Sequence, residues 1–211
     1  MSDAGRILTF FLGLSLLLPP VLSGKEAAQE ADAFFAPLST VKSLSCRFTQ
    51  EQKIRGLAHP ILLTGRFCMT GKGDLAWIVE TPVKFYCVIR GDLLRSWDAE
   101  SGKERSVDLK DHPAFSLMID MMKKFFSGKI SVTKDYSCTV KDKRTITLIP
   151  ASHNPLSGNV SRIEITLSPD GRSIASLKTL AVSGDENTLN FKETVLDKPI
   201  PESIWKEGKV Q

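Results

Sequence analysis

Apolar and polar side chains alternate along most of this chain, which is the pattern of half-buried β-strands. Leu44, Cys46 and Phe48 are apolar, for example, and the residues between them are polar. Turn signals rich in glycine, proline and aspartate separate such runs at short intervals, so a continuous antiparallel meander is expected. The predicted strands cover residues 44–49, 61–70, 75–80, 85–90, 93–98, 105–109, 131–141, 144–149, 160–167, 174–183 and 188–196.

Two segments follow a helical period instead. Apolar side chains recur as a helical stripe between residues 25 and 43, where Pro37 should bend or interrupt the helix. A second stripe follows His112-Pro113 and is closed by Gly128. We therefore predict one domain, mainly β with α, in which one helix precedes a sheet of about ten strands and a helical insertion interrupts it. The face of the second helix consists of Phe115, Met118, Ile119, Met122, Phe125 and Phe126.

The N-terminal segment is predicted to lie outside this domain. Arg6 precedes an apolar run over residues 7–18, and Pro19-Pro20 breaks that run. The run is shorter than the roughly 20 residues that span a bilayer, and compact side chains up to Ser23 suit a signal peptidase. We expect a secretory signal over residues 1–23, cleaved near Ser23, and a single exported domain over residues 24–211. A retained membrane anchor is the alternative.

Composition and charge mainly exclude functions. The 211 residues carry a net charge of +4 from interleaved cations and anions, which gives no support to nucleic-acid binding. The three histidines lie far apart in sequence, so no metal site or cofactor is predicted. The chain has no G-x-S-x-G motif, and no catalytic residues emerge. A small exported lipid hydrolase is the rival hypothesis from the enzyme class.

Four cysteines raise the question of disulfides in an exported protein. If residues 44–49 and 61–70 pair as a hairpin, alternation assigns Cys46 and Cys68 to opposite faces of the sheet. That argues against a Cys46–Cys68 bond. Four small buried hydrophobic residues are the alternative to any pairing.

Several predicted strands carry large apolar side chains on both faces, as in residues 75–79 and 85–89. A sheet with little helical cover should alternate more cleanly. One explanation is that the two helices cover a concave face as a core. The other is that part of the concavity binds an apolar guest, which the three methionines at 118, 121 and 122 favour because methionine repacks easily.

A series of short motifs, in order along nearly the whole chain after residue 23, resembles the LolA family of periplasmic outer-membrane lipoprotein carriers. Each motif is weak alone, and the ordered set is fairly specific. The motifs are LSCRFTQ at residues 44–50, GRF at 65–67, LAW at 75–77, TP at 81–82, RGDLLRSW at 90–97, PAFSL at 113–117, PDG at 169–171 and PESIW at 201–205.

The resemblance implies an open, strongly curved antiparallel half-barrel with helices as a lid over an apolar cavity. It also implies a periplasmic protein that takes acylated lipoproteins from an inner-membrane ATP-driven Lol release complex and delivers them to an outer-membrane lipoprotein acceptor. Alternatives within the same resemblance are a carrier of another amphiphile, such as a glycolipid, and an envelope lipoprotein sensor.

The resemblance also suggests where cargo binds. Carriers of this family have an arginine in the hairpin before the tryptophan that is thought to latch the lid; here Lys72 lies in that hairpin and is the candidate latch. Lysine lacks the planar, multiply donating head of arginine and would act as a point-charge donor. The expected lipid-binding residues are Leu44, Phe48, Leu63, Phe67, Trp77, Val79 and Ile89 from the sheet and Phe115, Met118, Ile119 and Met122 from the lid.

Overall fold

The computed structural model describes residues 24–111, 113–128, 130 and 132–206, and within them eleven strands form one antiparallel sheet. The sheet order is β6-β5-β4-β3-β2-β1-β11-β10-β9-β8-β7, so the edge strands β6 and β7 do not pair and the sheet is open. The strands are β1 (Ser43–Lys53), β2 (Ile61–Thr70), β3 (Leu75–Thr81), β4 (Phe85–Arg90), β5 (Leu93–Asp98), β6 (Glu104–Asp108), β7 (Tyr136–Asp142), β8 (Thr145–Pro150), β9 (Val160–Leu167), β10 (Ile174–Ala181) and β11 (Glu186–Leu196).

The helices lie before, within and after this meander. Helix α1 (Gly24–Phe35) ends just before Pro37, and the chain continues as the 3₁₀ segment Ala36–Thr40, as the position of the proline predicts. Helix α2 (Pro113–Ser127) is the predicted insertion, and α3 (Val132–Asp135) is a single turn. A short C-terminal helix, α4 (Glu202–Lys206), follows the last strand. None of the helices in the described ranges is long and apolar enough to cross a membrane.

The expected fold class, an open antiparallel half-barrel with an N-terminal helix, is confirmed, and the largest error in a predicted strand boundary is the start of β7. Residues 131–141 were expected to form one strand, yet β7 begins only at Tyr136. The carbonyl oxygen of Asp135 accepts hydrogen bonds from the amide of Ala151 and the side chain of Asn154, both at 2.9 Å. This loop contact ends the β7–β8 ladder, and the preceding residues form α3 instead.

One large apolar core lies on the concave face of the sheet. It includes buried side chains from widely separated strands, such as Phe67 of β2 and Ile165 of β9, and from α1 and α2. Phe126 of α2 packs between Phe67 and Phe191 of β11, with ring centroids 4.5 and 5.4 Å away. The helices therefore cover the concave face, as the half-barrel requires.

A second, smaller apolar cluster lies on the other face of β2–β5. Ile78, Tyr86 and Val88 are buried there against Trp205 of α4, which is itself only 5% exposed. The apolar side chains on both faces of these strands therefore have a structural cause that the sequence hypothesis lacked. The C-terminal helix covers the outer set, and only the inner set faces the concavity.

The register of β1 and β2 decides the relation of two cysteines. Cys46 is opposite Phe67 and Cys68 is opposite Ser45, so the two thiols lie on opposite faces of the sheet. Cys46 belongs to the concave core and Cys68 to the outer cluster. The prediction from alternation is confirmed, and this register does not allow a disulfide between them.

Candidate functional site

The predicted sheet residues meet in one place. Most of them are buried in the concave core, and Leu63 and Trp77 are partly buried against it. Alternation along each strand produces this arrangement, because Leu44, Phe48 and their equivalents on neighbouring strands occupy inward positions of a paired ladder. The buried members are Leu44, Phe48, Phe67, Val79 and Ile89, none more than 5% exposed.

The centre of the sheet side is an aromatic cluster. The rings of Phe48 and Trp77 stack with centroids 4.2 Å apart, and Phe67 lies edge-on to Trp77 at 5.7 Å. Such pairs add specific geometry to the burial of apolar surface. The cluster forms an apolar floor below the helices.

The helix side is described in part. Ile119 is 3% exposed and joins the concave core, and its assignment to cargo binding stays a prediction. The side chains of Phe115, Met118 and Met122 lie outside the described residues, so their assignment to the lid stays a prediction. Phe125 and Phe126, which share the predicted apolar face of α2 but were not assigned to the site, both belong to the core.

Sequence reasoning also missed Phe191 and Leu189, which the core includes from β11. Their inward positions were readable from alternation along residues 188–196. What the sequence lacked was the pairing of the last strand with the first, in which Phe191 lies opposite Phe48. That pairing brings β11 beside the β1–β3 aromatic cluster.

The end of α2 is held closely against α1. Gly128 has φ +65°, and a Cβ at this position would lie 2.4 Å from the carbonyl oxygen of Phe35 and 2.9 Å from Cβ of Leu38. Only glycine fits this left-handed turn at this close approach. The two helices therefore meet at one tight contact beside the core.

Lys72 lies outside the core, exposed in the turn between β2 and β3. With Asp120, Lys123 and Lys124 of α2 it lines an open groove of about 280 Å³. The stem of Lys123 passes over Gly73, at about 3.5 Å from where a Cβ would be. The turn and the lid helix are therefore neighbours, which is the location that a latch would need.

The chemistry of the concave core is apolar. Burial raises the pKa of Cys46 to about 12 and that of Cys87 to about 11, which keeps both thiols neutral at physiological pH. Desolvation likewise raises the pKa of Tyr136. In the described ranges, no cluster of three or more His, Cys, Asp or Glu side chains is suited to hold a metal ion. A surface of this kind is suited to hydrocarbon ligands.

The family model of the outer membrane lipoprotein carrier protein LolA matches residues 39–206. The chain belongs to the LolA family. A comparison with curated protein sequences finds no significant match. The resemblance inferred from the motifs is therefore confirmed at the level of the family.

Solved structures are similar to this chain in fold at low sequence identity. An uncharacterized conserved protein from Thermus thermophilus has a TM-score of 0.54 at 9% identity, covering 85% of this chain and 94% of that one. The Pseudomonas aeruginosa MucA/MucB complex contains a chain with a TM-score of 0.52 at 11% identity, covering 83% of this chain and 60% of that one. The LolA superfamily protein NE2245 from Nitrosomonas europaea has a TM-score of 0.41 at 11% identity, with coverages of 88% and 98%.

Proposed function

We propose that this protein is a periplasmic carrier that binds the acyl chains of lipoproteins on its concave face and moves them from the inner to the outer membrane. Membership of the LolA family supports the class of function. The observation that carries the proposal is a continuous apolar core on the concave face of an open sheet, covered by helices rather than by a second sheet. A helical cover can move without breaking the sheet ladder.

The energetics of such a carrier are coherent. Each CH₂ group removed from water contributes about 0.8 kcal/mol, so a long acyl chain in water costs on the order of 10 kcal/mol. In the structure Phe126 of α2 fills the space between Phe67 and Phe191. We infer that cargo enters by displacing this helix and takes over the contacts of its apolar face, so loading and lid opening are one event.

The proposal includes a cellular location and binding partners. An exported chain with its signal over residues 1–23 removed would work between the two membranes, receiving cargo from an ATP-driven Lol complex and passing it to an outer-membrane acceptor. The role needs no chemical step, so we propose a function without catalysis. Sustained turnover of lipid esters, abolished by substitution of one Ser, Asp or His, would contradict that.

The most direct test is mass spectrometry of material that co-purifies with the protein, repeated on a substitution at the cargo site. Leu63 is partly buried and lies opposite Gln50, so the Leu63→Glu carboxylate can reach water. We expect this variant to fold and to lose co-purifying triacylated lipoprotein. Phe67→Glu, at a position with no exposure, should instead unfold because it buries an unpaired charge.

A matched control keeps the result specific. Ile149→Glu introduces the same charge at a position that is 50% exposed on β8, and it should retain cargo. Cargo retained by a folded Leu63→Glu variant would contradict the proposed site. Co-purification of glycolipid or another lipid in place of lipoprotein would reassign the cargo while keeping the site. A stable complex with a regulatory protein and no cargo would favour the sensor.

Lys72 is proposed as the contact that holds the lid closed, because it lines the groove between the β2–β3 turn and α2. Lys72→Ala should then raise the rate of cargo exchange without changing the amount bound at saturation. Lys103→Ala, in an exposed turn before β6, is the control with the same loss of charge. Equal exchange rates in the two variants would remove Lys72 from the mechanism.

A further inference from the structure

Exposed apolar side chains cluster at one end of the molecule. Five of the nine large hydrophobic residues that are exposed in the described ranges lie there, and four of them fall within the segment 54–62, which we term the β1–β2 tip. Single exposed hydrophobic residues are ordinary, whereas a cluster of this kind marks a contact surface. The five are Ile54 at 37%, Leu57 at 53%, Ile61 at 37%, Leu62 at 61% and Val182 at 61% exposure.

The tip has a fixed base. The amide of Arg55 donates a hydrogen bond of 2.7 Å to Oδ1 of Asp185 in the β10–β11 turn, and the Arg55 guanidinium lies against Gly184. Val182 lies in the same β10–β11 connection, directly after the end of β10. The two connections therefore lie side by side at this end of the sheet. The amide of Leu57 also bonds to the carbonyl oxygen of Ile54, which closes the turn.

The apolar surface of the tip continues into the cargo site. Ile61 and Leu63 occupy alternate positions of β2 and therefore share a face with Phe67 in the concave core. Exposure falls along this face, from 37% at Ile61 to none at Phe67. A hydrocarbon chain could follow this path between the tip and the core without crossing a charged side chain on that face.

The charges beside the tip are paired with one another. Lys53 pairs with Glu51 at 3.3 Å, and the hydrogen bond from the Arg55 amide, then that from the Ser183 hydroxyl and, less strongly, the Arg55 charge lower the pKa of Asp185. A protein partner that recognised this end would gain little from charge complementarity. A bilayer requires only apolar side chains that can enter the region between headgroups and acyl chains.

We propose that the β1–β2 tip inserts into the surface of a lipid bilayer and directs the mouth of the concave site towards the membrane where cargo enters or leaves. This rests on the proposed carrier function for its purpose, but the binding itself does not need cargo. Because insertion is apolar, binding should change less than about twofold when ionic strength rises from about 0.05 M to about 0.5 M.

Co-sedimentation of the exported protein, without the signal over residues 1–23, with vesicles of phosphatidylethanolamine and phosphatidylglycerol tests the proposal. Leu57→Asp combined with Leu62→Asp should lower the bound fraction at least about fivefold. The matched control combines Leu93→Asp and Ile149→Asp, at positions 46% and 50% exposed on other strands, and should bind like the parent chain. Equal losses in the two double variants, or no loss in either, would overturn the proposal.

A second readout measures insertion of the tip itself, so binding through any other part of the chain does not affect it. Tryptophan in a Leu57→Trp variant should be quenched by vesicles with brominated acyl chains, whereas tryptophan in an Ile149→Trp variant should not. Absence of quenching at Leu57→Trp would overturn insertion. Binding only to vesicles that contain inner-membrane proteins would assign the tip to a protein partner and would also overturn it. Cargo analysis on the same preparations distinguishes failure of the insertion proposal from failure of the carrier proposal. A protein that co-purifies with lipoprotein but does not bind vesicles would contradict membrane insertion of the tip and leave the carrier proposal intact.

Discussion

The rings of Phe48 and Trp77 stack at 4.2 Å although their strands, β1 and β3, are separated by β2. The contact passes over Gly65, which lies opposite Phe48 in the β1–β2 pair. A Cβ on this glycine would be 2.8 Å from Cζ of Phe48 and 2.0 Å from the carbonyl oxygen of Ile78. The absence of a side chain at one position therefore allows two aromatic rings to meet across the middle strand.

Gly65→Ala should destabilise the fold by about 3 kcal/mol, because both neighbours of the new methyl group belong to packed strands that cannot move apart freely. Urea unfolding followed by tryptophan fluorescence measures the free energy of unfolding. Gly158→Ala is the control, since a Cβ there meets no atom within 4 Å, and it should change stability by less than about 0.5 kcal/mol. Similar losses of unfolding free energy in the two variants would contradict the explanation that close packing requires glycine at position 65.

Trp205→Ala should cost about 3–5 kcal/mol, because this side chain covers the apolar outer face of β2–β5. Glu202→Gln in the same helix removes only an ion pair with Arg90, 3.0 Å long and about half exposed, and should cost less than about 1 kcal/mol. Thermal or urea unfolding distinguishes the two. If the charge change proved as costly as loss of the ring, α4 would be held by electrostatics instead of by packing.

Asp197 links stability to pH. It has φ +58°, and its carboxyl accepts hydrogen bonds from the amide of Lys42 at 2.8 Å and from Arg172 at 2.6 Å. The hydrogen bond from the Lys42 amide has the largest effect and the one from Arg172 the next largest. Together they hold the pKa of this carboxyl below its usual value of about 3.9. Its stabilisation is therefore present above about pH 3.9 and is lost as pH falls through the folded-state pKa.

Asp197→Asn tests this, since asparagine tolerates the same backbone conformation and cannot titrate. We expect the variant to be less stable than the parent at pH 5 and to lose less stability between pH 5 and pH 2. Urea midpoints at the two pH values are the measurement. Parallel loss in both proteins would show that Asp197 does not contribute to acid sensitivity.

The thiol of Cys46 should be unreactive in the folded protein. Burial raises its pKa to about 12, so almost no thiolate forms at pH 8. Reaction with a thiol reagent at pH 8 should therefore follow the rate of unfolding and become fast in denaturant. Because the unfolded thiol ionises near pH 8.5, the associated stability is present below that pH and declines as pH rises towards 12.

Cys46→Ala supplies the control for the alkaline effect, because it removes the titrating group while keeping a small apolar side chain. Its stability should decline less steeply above pH 8.5 than that of the parent. Rapid labelling of Cys46 in the native state would mean that the core beside the central β1–β11 pair opens readily.

Local patterns along the chain predicted much of the fold. Alternation at Leu44, Cys46 and Phe48 located β1 and its inward face, and Pro37 marked the break after α1. Strand β7 shows the limit, because its start depends on bonds from the loop around Asn154 to Asp135. A loop that closes over a strand end leaves no periodic signal in the strand itself.

The sequence alone determined which side chains share a face, since that depends only on a two-residue period that each strand carries. It also determined the family, through motifs short enough to be read locally. Only the tertiary structure decided what covers each face: α2 and its Phe126 cover the concave side, and α4 with Trp205 covers the outer side. These contacts join residues far apart in sequence, and they depend on the register and curvature of the entire sheet, which no single segment contains.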